Sequence, residues 1–429
     1  METGDIHHHH RMSDANKDVK FSLKVVINKQ KTKVLFAEAG SDFTDVLLSF
    51  LTLPLGKIVQ VLERHYKEEA PVIGSLTSLY KGLSNLDSTH FSTEGAKQML
   101  LDPISSFSDE FFGDGGVFTT TTHETFLISD DLEILPNVTA SFSKILSKLG
   151  ITDIDGAEVR SVTFGLNEIL ELLKGSFRSR APLTNLVLKN KTVSDSVAPK
   201  SEPGISFLHH QTKKEETSNS TALVVKVIVQ KSTTKLLFAE ADEKFVDFLF
   251  SLLTIPLGGV EYLLDGSTSL KNIDNLYQSI ACPNLDKYLR VAEKTRLTKP
   301  TLPHGYLPEN WIFGLIEERA PQLEYNLDNY LIPSSKTNSM FKSPKGNQYY
   351  VKGPRMYMVK DDLTVAPSSM ISYFSTLNEQ KVPVSDVGEL VLHIGLEEAL
   401  SILKASLSSS CALSNGLNHM LKRQPKQEH

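Results

Sequence analysis

Cysteine and tryptophan are scarce: the 429 residues include only Cys282, Cys411 and Trp311 of these types. A small scaffold stapled by disulfides needs more cysteines at repeated spacings, so the composition fits a reducing compartment. No run of about 18 apolar residues occurs, the length a spanning helix requires. The longest apolar stretch, residues 46–55, is broken by Ser49, Thr52 and Pro54. The start lacks the basic and apolar regions of a signal peptide. His7, His8, His9 and His10 stand in a polar flank that reads as a tag remnant or flexible leader. A cytoplasmic or nuclear location is therefore expected. Charge of one sign is also missing. Lys plus Arg number 45 and Asp plus Glu 51, a net charge of −6, so no nucleic-acid or membrane partner is expected.

Catalytic signatures are absent too. There is no G-x-x-x-x-G-K-(S/T) loop, G-x-G-x-x-G fingerprint, G-x-S-x-G elbow or H-E-x-x-H helix. His123-Glu124 has no second histidine four residues from the first. Gly113-Asp114-Gly115-Gly116 precedes a predicted strand, so it lacks the helix N-terminal amides that bind phosphate. No cofactor and no metal are expected.

A repeat is present. Residues 24–56, KVVINKQKTKVLFAEAGSDFTDVLLSFLTLPLG, align without a gap to residues 226–258, KVIVQKSTTKLLFAEADEKFVDFLFSLLTIPLG. The match resumes at Leu79-Tyr80 and Leu276-Tyr277, at Asp130-Asp131-Leu132 and Asp361-Asp362-Leu363, and at Gly165-Leu166 and Gly395-Leu396. The chain therefore divides into a leader (1–19), a first module (20–189), a polar linker (190–221), a second module (222–421) and a tail (422–429). The second module carries extra sequence, about 284–346, that contains Trp311.

Each copy opens with period-2 alternation, Leu23, Val25 and Ile27 against Lys24 and Asn28, followed by Val34-Leu35-Phe36, which predicts a β-hairpin. Phe43, Val46, Leu47, Phe50 and Leu51 then follow helical spacing, and Pro54 is expected to stop that helix, with Gly56 allowing a turn. Val117-Phe118 and 126–128 read as a strand pair, matched by 349–351 and 356–359. A strand at 161–164 precedes a helical stripe through Leu166, Ile169, Leu170, Leu173 and Phe177. The fold class is α+β: two tandem copies of a mixed α/β module, each with a mainly antiparallel sheet packed by helices.

The segment Phe36 to Gly56, the turn Ser129 to Pro136 and the helix Gly165 to Lys174, with their second-copy counterparts, resemble the plant family labelled domain of unknown function 674. Tandem copies are usual in that family, whose label says that its activity is unknown. Some relatives have a cysteine-containing insert that suggests zinc. Here Cys282 stands alone before Pro283, and that role does not carry over.

The polar residues retained in both copies are the candidate ligand-binding set. Glu38 and Glu240 end the hairpins. Asp45, Ser49 and Thr52 recur as Asp247, Ser251 and Thr254, on one helix face. One reading makes Glu38, Asp45, Glu240 and Asp247 a ligand-binding or enzymatic site at the junction of the modules. The plain structural alternative makes Asp45 a favourable charge near a helix N-terminus, with Ser49 and Thr52 bonding carbonyls. His393 reads as an exposed strand residue, and Cys411 aligns with Ala181. The leading expectation is a non-catalytic binding or scaffold protein with a protein partner; self-association in a structural role is the third.

Overall fold

The computed structural model describes residues 19–107, 118–119, 124–138, 142–189, 223–318, 324–325, 331–332 and 349–422. The leader with its histidines, the 190–221 linker, 423–429 of the tail, Gly113 to Gly116, Val117 and His123 lie outside the described residues, as does much of the 284–346 segment.

The predicted hairpin is β1 (Phe21–Ile27) and β2 (Val34–Gly40). The alternation that predicted it buries Leu23, Val25 and Ile27 and exposes Ser22 and Lys24. Helices α1 (Ser41–Ser49), α2 (Leu55–Tyr66), α3 (Leu76–Asn85) and α4 (Glu94–Leu101) follow. Next come β3 (Thr125–Ser129), β4 (Ile134–Pro136), α5 (Phe142–Lys148), β5 (Glu158–Phe164), α6 (Leu166–Arg178) and α7 (Pro182–Leu188). The second copy runs β6 (Leu223–Gln230), β7 (Lys235–Asp242), α8 (Glu243–Ser251), α9 (Leu257–Leu263), α10 (Lys271–Ala281) and α11 (Val291–Thr298). After a short pair, β8 (Glu324–Tyr325) and β9 (Leu331–Ile332), it continues with β10 (Met356–Val359), β11 (Val365–Pro367), α12 (Met370–Glu379) and β12 (Val387–Ile394). Helices α13 (Leu396–Ser408), α14 (Ala412–Gly416) and α15 (Asn418–Lys422) close the chain.

Both large sheets are fully antiparallel and share one order, β4-β3-β2-β1-β5 and β11-β10-β7-β6-β12. The ladder irregularity also recurs, between Val26 and Ile27 and between Ile228 and Val229. The α+β class holds. Sequence and sheet order together make the two copies the same fold.

Three local expectations are corrected. Pro54 does not stop α1, which ends at Ser49 before a 3-10 turn. It stands just ahead of α2 in an extended conformation (φ −60°, ψ 146°), where its missing N–H costs nothing. Gly56 and Gly258 lie inside α2 and α9 rather than in turns, and their role is close approach. A Cβ on Gly56 would sit 3.1 Å from the Leu253 carbonyl oxygen, and one on Gly258 3.1 Å from that of Leu51. Leu166, counted in the apolar stripe, and its second-copy counterpart Leu396 are exposed because each is the first residue of its helix.

The two copies meet on a pseudo-two-fold axis at this motif. Pro54 bridges Pro256, the Leu55 amide donates to the Ile255 carbonyl and the Leu257 amide to that of Leu53, both at 2.9 Å. Further out, helices are exchanged. α3 of the first copy lies against β11, and its Ser75 amide and hydroxyl donate to the Ser406 and Ser409 carbonyls of the second. α10 of the second copy lies against β4 and α6 of the first, with Asn272 Nδ2 donating to the Ser176 and Ser179 carbonyls. Phe91 stacks on Phe250 across the seam. One continuous cluster of buried side chains therefore runs through both copies. The reading in which each half buries its own interior is overturned, because neither sheet has a complete helical cover from its own copy.

Part of the extra second-copy sequence proves to have a counterpart. α11 follows Leu289 as α4 follows Phe91, and both of these residues bridge to the opposite copy. Beyond it, Trp311 packs edge-on against Phe313 and donates from Nε1 to the Leu315 carbonyl (2.9 Å), so its described contacts face inward.

Candidate functional site

Asp45 and Asp247 sit one turn into α1 and α8, and both are buried. Asp45 accepts from the amides of Phe118 (3.4 Å) and Thr119 (3.1 Å). Asp247 accepts from the amides of Tyr350 and Val351, the latter at 3.2 Å. The segments so held cross to the other copy. Thr119 bridges Leu289, and the Arg290 amide donates to the Phe118 carbonyl; Val351 bridges Phe91, and the Ser92 amide donates to the Tyr350 carbonyl. Each aspartate therefore satisfies backbone donors that the crossing segment would otherwise bury unpaired. A charged hydrogen bond of this kind contributes about 1.5–3 kcal/mol. The predicted strand pairing of Phe118 with 126–128 is corrected at the same point: Phe118 and Thr119 join the opposite copy, while β3 pairs with β2 and β4.

The hydroxyls on the same helix face bond carbonyls. Ser49 Oγ donates to Val46 O and Thr52 Oγ1 to Ser49 O, at 2.6 and 2.7 Å, and Ser251 and Thr254 repeat this to Phe248 O and Ser251 O. Local back-bonding of this kind turns the helix into its 3-10 exit.

Glu38 and Glu240 point the other way. Glu38 pairs in register with Lys24 and Leu127 on the outer sheet face. There it lines an open depression of about 240 Å³ with Ser22, Lys24, Thr125 and Ser161. Glu240 forms an ion pair with Lys226 (2.8 Å), which also reaches Glu389 at 3.6 Å. Glu38 and Glu240 thus stand on the outer faces of the two sheets, while Asp45 and Asp247 are buried on helices α1 and α8. The structure does not bring them together in one site.

Three clusters went unsingled in the sequence. Asp130 accepts from the amide and hydroxyl of Thr184 (2.8 and 2.7 Å), and Asp361 from those of Ser414 (2.8 and 2.7 Å). Their recurrence was visible, but it was read as a turn. The third is Glu261 on α9, fully buried with both carboxyl oxygens outside any hydrogen bond of ordinary donor geometry. Its neighbour Asp274 on α10 accepts from the amide (2.9 Å) and hydroxyl (2.5 Å) of Thr268. Burial first, and then the charge of Asp274, push the Glu261 carboxyl up to about 9. It is therefore protonated at neutral pH and can donate to Asp274, one proton serving two carboxyls. Val59 occupies the aligned first-copy position; a charge where the repeat has an apolar residue was the available signal.

His393 is exposed on β12, and Cys411 is exposed and free. Among the described residues no group of three or more His, Cys, Asp or Glu side chains could hold a metal ion, and no helix is long and apolar enough to cross a membrane. Comparison with curated proteins and with solved structures finds no match. A family model described as protein of unknown function (DUF674) matches residues 17–112, 108–395 and 326–428, overlapping segments that suit a repeated domain. With both copies covered, the chain belongs to this family.

Proposed function

We propose that this chain acts by binding another protein, and that α12 of the second module is the contact surface. The observation that carries this is a difference between two copies of one fold. On α12, Met370, Ile371 and Phe374 lie on one side of the helix and are 66%, 79% and 58% exposed. Aligned from Pro136 and Pro367, the first copy has Thr139, Ala140 and Ser143 at these positions. The residues that clamp one copy to the other recur in both, as Asp45 and Asp247 do. A solvent-facing apolar set that does not recur is not explained by folding, and clustered exposed apolar side chains mark interaction surfaces. The opposite side of α12 is well anchored: Tyr373 packs on Phe238, with ring centroids 4.7 Å apart, and Thr376 and Leu377 lie over the small cluster of Ile228, Leu237, Met358 and Val382. The helix is therefore held against the sheet on that side, which leaves Met370, Ile371 and Phe374 facing outward. The patch holds no charged side chain, so the fitting partner presents an apolar surface of its own.

The test grafts the first copy's residues onto α12, Met370→Thr, Ile371→Ala and Phe374→Ser together. Partners are compared by quantitative affinity capture, with Val159→Ser, equally exposed on the first module, as control. The triple variant is expected to lose the partners that the control retains, with an unchanged thermal midpoint. Equal recovery by all three proteins would refute the assignment.

A further inference from the structure

Antiparallel ladders alternate between residue pairs that exchange both backbone hydrogen bonds and pairs whose N–H and C=O point away. The Lys231 amide donates to the Asp386 carbonyl (2.8 Å), just ahead of the ladder in which Val387 faces Gln230 and Ile394 faces Leu223. Counting from that bonded pair, Gly388, Leu390, Leu392 and Ile394 bond to β6. Glu389, Val391 and His393 direct their amides and carbonyls to the other side. That side is open among the described residues, because β12 is the last strand of its sheet.

Natural edge strands are blunted by proline, lysine or a bulge. β12 has no proline, no lysine and no register shift: its sequence is VGELVLHI, and its one acidic side chain is Glu389. The side chains of Glu389, Val391 and His393 are exposed, Val391 at 59%.

We propose that β12 pairs antiparallel with β12 of a second copy of this chain, about a two-fold axis at Val391, joining two sheets into one. In this register Val391 faces Val391 of the second copy, and Glu389 faces His393 of the second copy in both directions. All these positions carry outward-directed backbone groups, so each facing pair exchanges both of its hydrogen bonds. The side chains match as well: a carboxylate accepts an imidazole N–H on either side of an apolar centre, and cross-strand pairs of this kind are favourable. A slip that centres the axis on Glu389 sets carboxylate against carboxylate, and one that centres it between Glu389 and Val391 strands His393 opposite Val387. The occupant is a second copy because the strand is complementary to itself, as an isologous contact requires. The first-copy edge, β5, has Val159, Ser161 and Thr163 at the corresponding positions and no such acid–imidazole match. The contact uses the sheet edge and does not depend on the α12 surface.

The experiment uses the full chain with Cys282→Ser and Cys411→Ser. Val391→Cys places two thiols on residues that face each other across a bonded antiparallel pair, about 5.5 Å apart at Cα, within disulfide reach. Glu389→Cys places them roughly 13 Å apart along the strands, out of reach. Mild oxidation is expected to give a covalent dimer from the first and not from the second. Sedimentation equilibrium of the unaltered chain is expected to give twice the 47.6 kDa chain mass, and Val391→Lys, which sets like charges on the axis, the single chain mass. Monomeric unaltered protein at micromolar concentration, or equal cross-linking at both positions, would overturn the proposal.

Discussion

Glu261 offers a quantitative check on how the second module is held together. Released into water on unfolding, its carboxyl ionises near 4.5; folded, burial and the Asp274 charge hold the proton to about 9. Between those values the folded chain keeps a proton that the unfolded chain has lost. The contribution of this group to stability therefore falls as pH rises, by about 1.4 kcal/mol per unit, intact below the lower value and lost once pH passes the upper one. Glu261→Gln keeps the shape, retains an N–H for Asp274 and does not titrate. Its stability relative to the unaltered protein should therefore rise by about 3 kcal/mol between pH 6 and pH 8. Urea denaturation followed by the fluorescence of Trp311, the single tryptophan, reads this directly at each pH. Parallel pH profiles for the two proteins would show that Glu261 is already ionised in the folded chain, and the shared-proton arrangement would fall.

Gly258→Ala would place a Cβ 2.5 Å from the Leu297 carbonyl oxygen and 3.1 Å from that of Leu51. Both are backbone atoms that cannot turn aside, so a loss of about 1–3 kcal/mol or more is expected in urea, whereas Gly314→Ala, with nothing within 4 Å of its Cβ, should leave the transition in place. Expressed separately, residues 1–205 and 206–429 should each lack a cooperative thermal transition and regain it on mixing, because one core runs through both. Cooperative unfolding of either fragment alone would refute the shared core.

The local pattern of the chain was legible wherever it depends on neighbours in sequence. Alternation at Leu23, Val25 and Ile27 marks β1, helical spacing from Phe43 marks α1, and the recurrence of both at Val225 and Phe245 marks the second copy. The carbonyl bonds of Ser49 and Thr52 could also be anticipated, since their partners lie three residues away. The partners of Asp45 could not: its acceptor oxygens meet amides 73 and 74 residues distant. Retention in both copies marked Asp45 as constrained without saying by what, and the same pattern suits a ligand site and a backbone clamp equally.

The sequence alone determined that one α+β fold occurs twice, because a repeat with intact hydrophobic periodicity can only bury the same faces in the same way. Tertiary structure alone decided where those faces are buried. Burial is non-directional and proportional to area, so periodicity shows that α3 and α10 need a cover but not that each finds it on the other copy. It likewise took the assembled sheets to separate Glu38 and Glu240 from Asp45 and Asp247, to leave Met370, Ile371 and Phe374 facing water, and to place β12 at an open edge.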